Sequence, residues 1–179
     1  MNVFAKLKRY QMLCAVLALA FLAALTYILY PHSFFETFAP AVLPQLSTQG
    51  YVTVNVSADI IDENTASLTL STDCYDLTAS VEPLQAESVL LALENQVGPR
   101  PNAHDLAKDV FTSLKIDVLM VKINEKRGNT FFSKIILRQG NTILNFDVRP
   151  SDGIAIALRT KSPIYINETL LKTEGKKFC

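Results

Sequence analysis

The sequence predicts an α+β domain: a mixed, mainly antiparallel sheet with three packed helices, preceded by one N-terminal transmembrane helix. Three observations point there. Runs such as YVTVNV (residues 51–56) and SLTLS (67–71) alternate apolar and polar residues with the period of a strand. Three apolar stretches opening near Pro83, Asn102 and Pro150 carry helix-start signals. Residues 12–30 form nineteen positions without a charge.

That uncharged run, MLCAVLALAFLAALTYILY, would span about 28 Å as a helix, close to the thickness of a bilayer's hydrocarbon core. Tyr27 and Tyr30 suit its far interface, and Pro31 stops it. It is longer than the apolar core of a signal peptide and ends in bulky residues, so an uncleaved anchor is the expectation. Lys6, Lys8 and Arg9 precede it, and no base follows until Arg100. The positive-inside rule then makes residues 1–11 a cytoplasmic basic N-terminus. The chain would be a single-pass protein of the cell membrane with its domain extracytoplasmic. The sequons at Asn55 and Asn167 are compatible with that side. Residues 31–50, with three prolines and Gly50, read as a linker.

Charge is unevenly spread. Residues 31–99 hold nine acids and no Lys or Arg, whereas residues 100–179 hold 14 basic and 8 acidic residues. A basic half can attract polyanions, or can simply be a solvated surface. The formal net charge is zero, and 49% hydrophobic residues exclude a wholly disordered chain. Cys14, Cys74 and Cys179 have no metal-ligand spacing and are odd in number, so unpaired thiols are expected.

Within the domain, residues 51–56, 67–71 and 74–81 read as strands, and Pro83 opens a helix to residue 96. Leu84, Val89, Leu91, Leu93 and Val97 are expected on its buried surface. Asn102 is a good N-cap for a second helix, with Leu106, Val110, Phe111 and Leu114 on one face. Strands follow over 116–124, 130–138 and 142–148. The last two form a hairpin around Gln139-Gly140-Asn141. A buried helix over 150–160 and a strand over 163–166 complete the domain, before a basic tail over 173–179. The stretches after Pro83 and Pro150 echo each other, as would two copies of a β-β-α unit or two unrelated buried helices.

The block Arg149-Pro-Ser-Asp-Gly-Ile-Ala-Ile-Ala-Leu-Arg159 and its continuation to Ile166 resembles the signature of the bifunctional nuclease family. So do Arg100-Pro-Asn-Ala-His-Asp-Leu106 and the stretch from Gly128 to Gly140, and CYDLTA at Cys74 looks like archaeal members in particular. The resemblance covers residues 51–172. It departs at Gly153, where Ala is usual, and in the membrane anchor, since most relatives are soluble. It implies hydrolysis of DNA and RNA phosphodiester bonds, hence nucleic acid as a partner.

Such hydrolysis needs an activated water and charge stabilisation on the phosphate. His104 is the domain's only histidine. It would act as base or metal ligand, with Asp105 and Asp152 as further catalytic groups and candidate holders of a divalent metal ion, and Arg149 and Arg159 on phosphate. The same residues also fit structural roles. Ser151 or Asp152 would cap the helix at Pro150, Arg149 would pair with a carboxylate, and Asp105 would favour a helix dipole. No H-x-x-x-H, glycine-rich phosphate loop or Ser-His-Asp pattern is legible. The alternative function is a non-catalytic binding or assembly module at the membrane surface, a homo-oligomer through a sheet edge or apolar face.

Overall fold

The computed structural model describes Met12, residues 16–22, residues 24–25 and residues 43–179. The chain divides into residues 1–41 and residues 42–179. In the first unit the described residues are helical and exposed. No helix among the described residues is long and apolar enough to cross a membrane. Much of the span expected over 12–30, and the linker up to residue 42, lie outside the described residues.

The second unit has two sheets. The larger has the order β1-β8-β5-β6-β7, formed by β1 (Tyr51–Thr53), β5 (Ile116–Arg127), β6 (Thr130–Gln139), β7 (Thr142–Val148) and β8 (Ile164–Asn167). The smaller has the order β2-β3-β4-β9, formed by β2 (Asn55–Ile60), β3 (Ala66–Ser71), β4 (Tyr75–Val81) and β9 (Lys176–Lys177). Pairing is antiparallel except between β5 and β8. The helices are α1 (Pro83–Leu93), α2 (Ala103–Ser113), α3 (Pro150–Thr160) and α4 (Glu168–Glu174), with a 3-10 turn at Pro44–Leu46. The α+β class stands. The single sheet becomes two, and a fourth α-helix lies past the last expected strand.

The run over 51–56 is not one strand. Tyr51–Thr53 pairs with β8, while Asn55–Ile60 pairs with β3, so the chain changes sheet at Val54. Alternation cannot report this, because each half keeps the period of two. Hairpins β3–β4 and β6–β7 each run into a helix opened by proline, α1 at Pro83 and α3 at Pro150. At the β6–β7 turn Gly140 has φ +56°, which glycine adopts without steric cost.

The core joins Leu68, Leu70 and Leu77 of the smaller sheet to Val121, Ile123, Ile135, Leu137 and Ile166 of the larger, with Val89 of α1 and Ile154 of α3 between helices and strands. Helix α3 is buried at Ser151, Gly153, Ile154, Ala155, Ile156 and Ala157. A Cβ at Gly153 would stand 3.0 Å from Val121 and 3.2 Å from Val148, so its absence sets how closely α3 lies on the sheet.

Two expected apolar faces hold only in part: Val89 is buried and Phe111 packs against the core, but most of their leucines and valines are exposed. Leu84, Leu93 and Val97 are exposed, and α1 buries Ala86, Ser88, Val89 and Ala92. Leu106, Val110 and Leu114 are also exposed, and the buried residue of α2 is Asp105. Small side chains on α1 let it approach the alanine-rich α3, and α2 is held by an ion pair together with Ala107 and Phe111 instead of a leucine stripe.

The cysteine expectation is corrected as well. Cys74 and Cys179 form a disulfide across 105 residues of sequence. Helix α4 and Gly175 return the chain to β4, where β9 pairs Lys176 with Asp76, and the Phe178 N–H bonds to the Cys74 carbonyl. Any Cβ at Gly175 would fall 2.4 Å from the Leu171 carbonyl oxygen, which makes glycine obligatory at this return. Residues 173–179, expected as a tail, thus end α4, form β9 and close the bridge.

A loop of this length removes much freedom from the unfolded chain, so Cys74→Ser with Cys179→Ser should lower unfolding free energy by about 2–5 kcal/mol in urea denaturation. Non-reducing peptide mapping that finds free thiols at both positions in native protein would contradict the bridge.

Candidate active site

The residues singled out in the sequence gather around the start of α2: Arg149 and Asp152 come from the start of α3 and Arg159 from its last turn, with α1 alongside. Asn102 is the N-cap of α2, as its type predicts. Its side chain accepts from the N–H groups of His104 and Asp105, and Asp105 returns the bond to the Asn102 N–H at 2.9 Å. This reciprocal cap orients both His104 and Asp105.

Asp105 points inward. Its carboxylate accepts from Arg159 Nε at 2.7 Å, and the two side chains are only 8% and 5% exposed. Arg159 Nη1 also donates to the backbone carbonyls of Ser88 and Ala155. Its Nη2 is buried with no partner among the described residues. Burial opposes the charge on Asp105. The Arg159 hydrogen bond, the Asn102 N–H and the nearby charges outweigh it, so the carboxyl titrates below its usual range.

His104 lies nearer the surface, with its side chain 18% exposed. Its Nε2 is 3.2 Å from Asp152 Oδ1, and its Nδ1 is 2.8 Å from Ser88 Oγ. A carboxylate only accepts, so Nε2 carries a proton, and the tautomer with that single proton accepts the Ser88 hydroxyl at Nδ1. Asn102 Nδ2 in turn donates to Ser88 Oγ at 3.2 Å. On the outer side, Arg149 grips both oxygens of Asp152, at 2.6 Å and 3.2 Å, while staying largely exposed itself. Arg149 has its affinity for its proton raised by the Asp152 hydrogen bond and charge, with a smaller contribution from Glu82.

Asp152 does not cap α3; no side chain bonds the helix start there. Both oxygens are drawn outward by Arg149, and Oδ1 is shared with His104. Ser88 escaped sequence reasoning altogether. Its signal was a polar residue at a buried position in an apolar helix, which points to a hydrogen-bonded partner but does not identify one. The result is a Ser88–His104–Asp152 chain of hydrogen bonds that no spacing in the sequence announces.

A cavity of about 310 Å³ opens beside Ser88, Asn102 and His104, with Leu84, Leu91 and Arg100 also in its wall. The polar groups suit acid–base work in the sense of a hydroxyl, a base and an orienting carboxylate. They do not suit a metal clamp. Both oxygens of Asp152 are forked by Arg149, those of Asp105 are taken by Arg159 and the Asn102 N–H, and no cluster of three His, Cys, Asp or Glu among the described residues could hold an ion.

The comparisons with known proteins bear on this arrangement. A family model described as the bifunctional nuclease domain matches residues 70–178, a stretch that contains every residue just named. An uncharacterised protein of Mycobacterium tuberculosis is 37% identical over 93 residues, covering 51% of this chain and 55% of that one. Bifunctional nuclease 1 of Arabidopsis thaliana is 32% identical over 99 residues, covering 52% of this chain and 30% of the plant protein. Bifunctional nuclease 1 of Oryza sativa subsp. japonica is 31% identical over 110 residues, 59% of this chain and 33% of the relative. The aligned segment thus covers about half or less of each relative's length. The fold and cluster define an α+β domain with a hydrogen-bonded Ser88–His104–Asp152 group beside a cavity. The chain belongs to the bifunctional nuclease domain family.

Because the folded carboxyl of Asp105 titrates below the unfolded value of about 3.9, its contribution to stability is complete above about pH 4 and is lost as pH falls further. Asp105→Asn leaves Arg159 buried without its counter-charge and should cost about 3–5 kcal/mol at neutral pH. Denaturation curves across pH should show the variant with a shallower acid decline than the parent. Equal stability at neutral pH would rule out a supporting role for the pair.

Proposed function

We propose that the domain is a nuclease that hydrolyses phosphodiester bonds of DNA or RNA, with His104 as its acid–base group. The observation that carries this reading is the hydrogen-bonded chain from Ser88 through His104 to Asp152, bordered by the exposed Arg149. Family membership and the names of the plant relatives support it.

In this mechanism the scissile phosphate lies over the opening, held by Arg149 and by Arg100 in the cavity wall. An attacking water gives its proton to Ser88 Oγ as the Ser88 proton passes to His104 Nδ1. Asp152 steadies the resulting imidazolium, which then protonates the leaving oxygen. Asp105 and Arg159 hold this geometry from below and touch no substrate.

His104→Ala in the full-length protein should reduce cleavage of single-stranded DNA or RNA by roughly 10²–10⁴-fold without loss of folding. Arg149→Gln should weaken substrate use roughly tenfold or more, the worth of one charged hydrogen bond. Cleavage at the parent rate by the His104 variant would rule out this site.

We also propose that the domain faces an oxidising compartment, held at the cell membrane by residues 12–30. The Cys74–Cys179 bridge supports this, since disulfides persist mainly outside the cytoplasm. Protease added to intact cells should remove the domain, and protection equal to that of a cytoplasmic control would exclude this placement.

A second reading, a non-catalytic assembly module, is favoured by the exposed Leu84, Val97, Leu106, Val110 and Leu114, which would suit contact between copies.

A further inference from the structure

On the opposite face of the larger sheet from α3 lies a second polar cavity, of about 300 Å³, that the acid–base site does not use. Lys122 forms its base. Neighbouring β5 residues Val121 and Ile123 face the core, so Lys122 between them faces away from it. The residue is only 6% exposed. Its ammonium donates to the backbone carbonyls of Gln45 and Ser47 and lies 5.0 Å from the centre of the Tyr51 ring. No carboxylate lies within ion-pair distance of it among the described residues. Burial favours its neutral form and draws its pKa below the ordinary lysine value.

Beyond the two carbonyls and the Tyr51 ring, the groups that face Lys122 supply no negative charge. Directly across β6 stands Lys134, and like charges in such a pair repel. Tyr165 faces it from β8. The segment over residues 44–49 brings no charged side chain. Lys134 is exposed and, among the described residues, has no ion-pair partner; Asp147 stands opposite it on β7 without closing one. The cavity wall contains no acid.

Neutral donors complete the wall. Tyr51 Oη donates to Asn124 Oδ1 at 3.0 Å, which fixes that amide and leaves its NH₂ group without a protein acceptor among the described residues. Asn145 stands beside Ile136 on β7 and likewise has no side-chain partner among the described residues.

We propose that this cavity binds a phosphate monoester dianion, seated between Lys122 and Lys134 and held by the amides of Asn124 and Asn145. A dianion placed between the two ammonium groups screens their repulsion, and Asp147, opposite Lys134 on the far side from Lys122, leaves the buried ammonium as the group without a counter-charge. Both charges are compact ammonium groups, which meet a tetrahedral oxyanion as point charges from two sides. The neutral amides suit its remaining oxygens.

The test uses the full-length protein in detergent, titrated by calorimetry with inorganic phosphate and with adenosine 5′-monophosphate. Both should bind. Lys134→Gln, a change at an exposed position, should weaken both by roughly 10- to 100-fold, the worth of a charged hydrogen bond. Lys122→Met should abolish binding, with circular dichroism reporting its fold. His104→Ala should leave both affinities unchanged, which separates this cavity from the acid–base site. No binding by the parent, or unchanged affinity in Lys134→Gln, overturns the site. Binding of phosphate with exclusion of the nucleotide overturns the monoester assignment.

Discussion

The ion pair between Arg159 and Asp105 is the interaction on which the candidate active site depends. One guanidinium reaches three helices: it grips Asp105 on α2 and the carbonyls of Ser88 on α1 and of Ala155 on α3. The same carboxylate closes the cap of α2. Helix position, cap and ion pair are therefore one unit, and His104 is placed by it because it adjoins Asp105 in the first turn. A buried pair of this kind is a poor source of net stability, since desolvation offsets much of its attraction. Its value is in specificity. Alternatives that shift α2 would leave a buried charge unpaired, so one arrangement of Ser88, His104 and Asp152 is strongly preferred.

This explains why α2 exposes leucine and valine while burying aspartate. Ala107 and Phe111 also dock the helix on the core, but apolar contacts are non-directional and tolerate small slips. Hydrogen bonds at 2.7–3.2 Å do not. Packing follows the same logic on α1 and α3, where Ala86, Ala92, Gly153, Ala155 and Ala157 allow close approach. Short side chains at these positions bring Ser88 within reach of a histidine on another helix.

Local signals were legible in the sequence and long-range ones were not. Asn102 could be read as a cap, because the cap's partners lie two and three residues away. Gly140 marked its hairpin for the same reason. His104, Asp105, Asp152, Arg149 and Arg159 could be selected as chemically capable, but their partition could not. Nothing in their types distinguishes a buried Asp105–Arg159 pair from an outer Arg149–Asp152–His104 group. That division depends on which side of each helix meets the sheet. Ser88 lies sixteen residues from His104, and Cys74 lies 105 from Cys179, so no periodicity links either pair. The strand that changes sheet at Val54 was hidden because alternation continues through the change.

The charge asymmetry of the chain takes on a different meaning once folded. The basic half does not form one positive surface, because many of its cations meet carboxylates close at hand. Arg138 pairs with Asp117, Lys126 with Glu174, Arg127 with Glu125 and Lys172 with Glu168. Lys176 is set opposite Asp76, from the acidic half, by the return that the disulfide secures. Lys134 stands opposite Asp147 on β7, whereas its other neighbour, Lys122, is buried with no carboxylate within ion-pair distance among the described residues. Surface pairs contribute little individually, but they remove their members from competition for an external anion. A cation held under a covering segment, with no carboxylate within ion-pair distance among the described residues, keeps its field for a ligand. The excess of base in the second half of the sequence is thus resolved by the fold into a few specific positions, and those positions, more than the net charge, determine where a phosphate would be drawn.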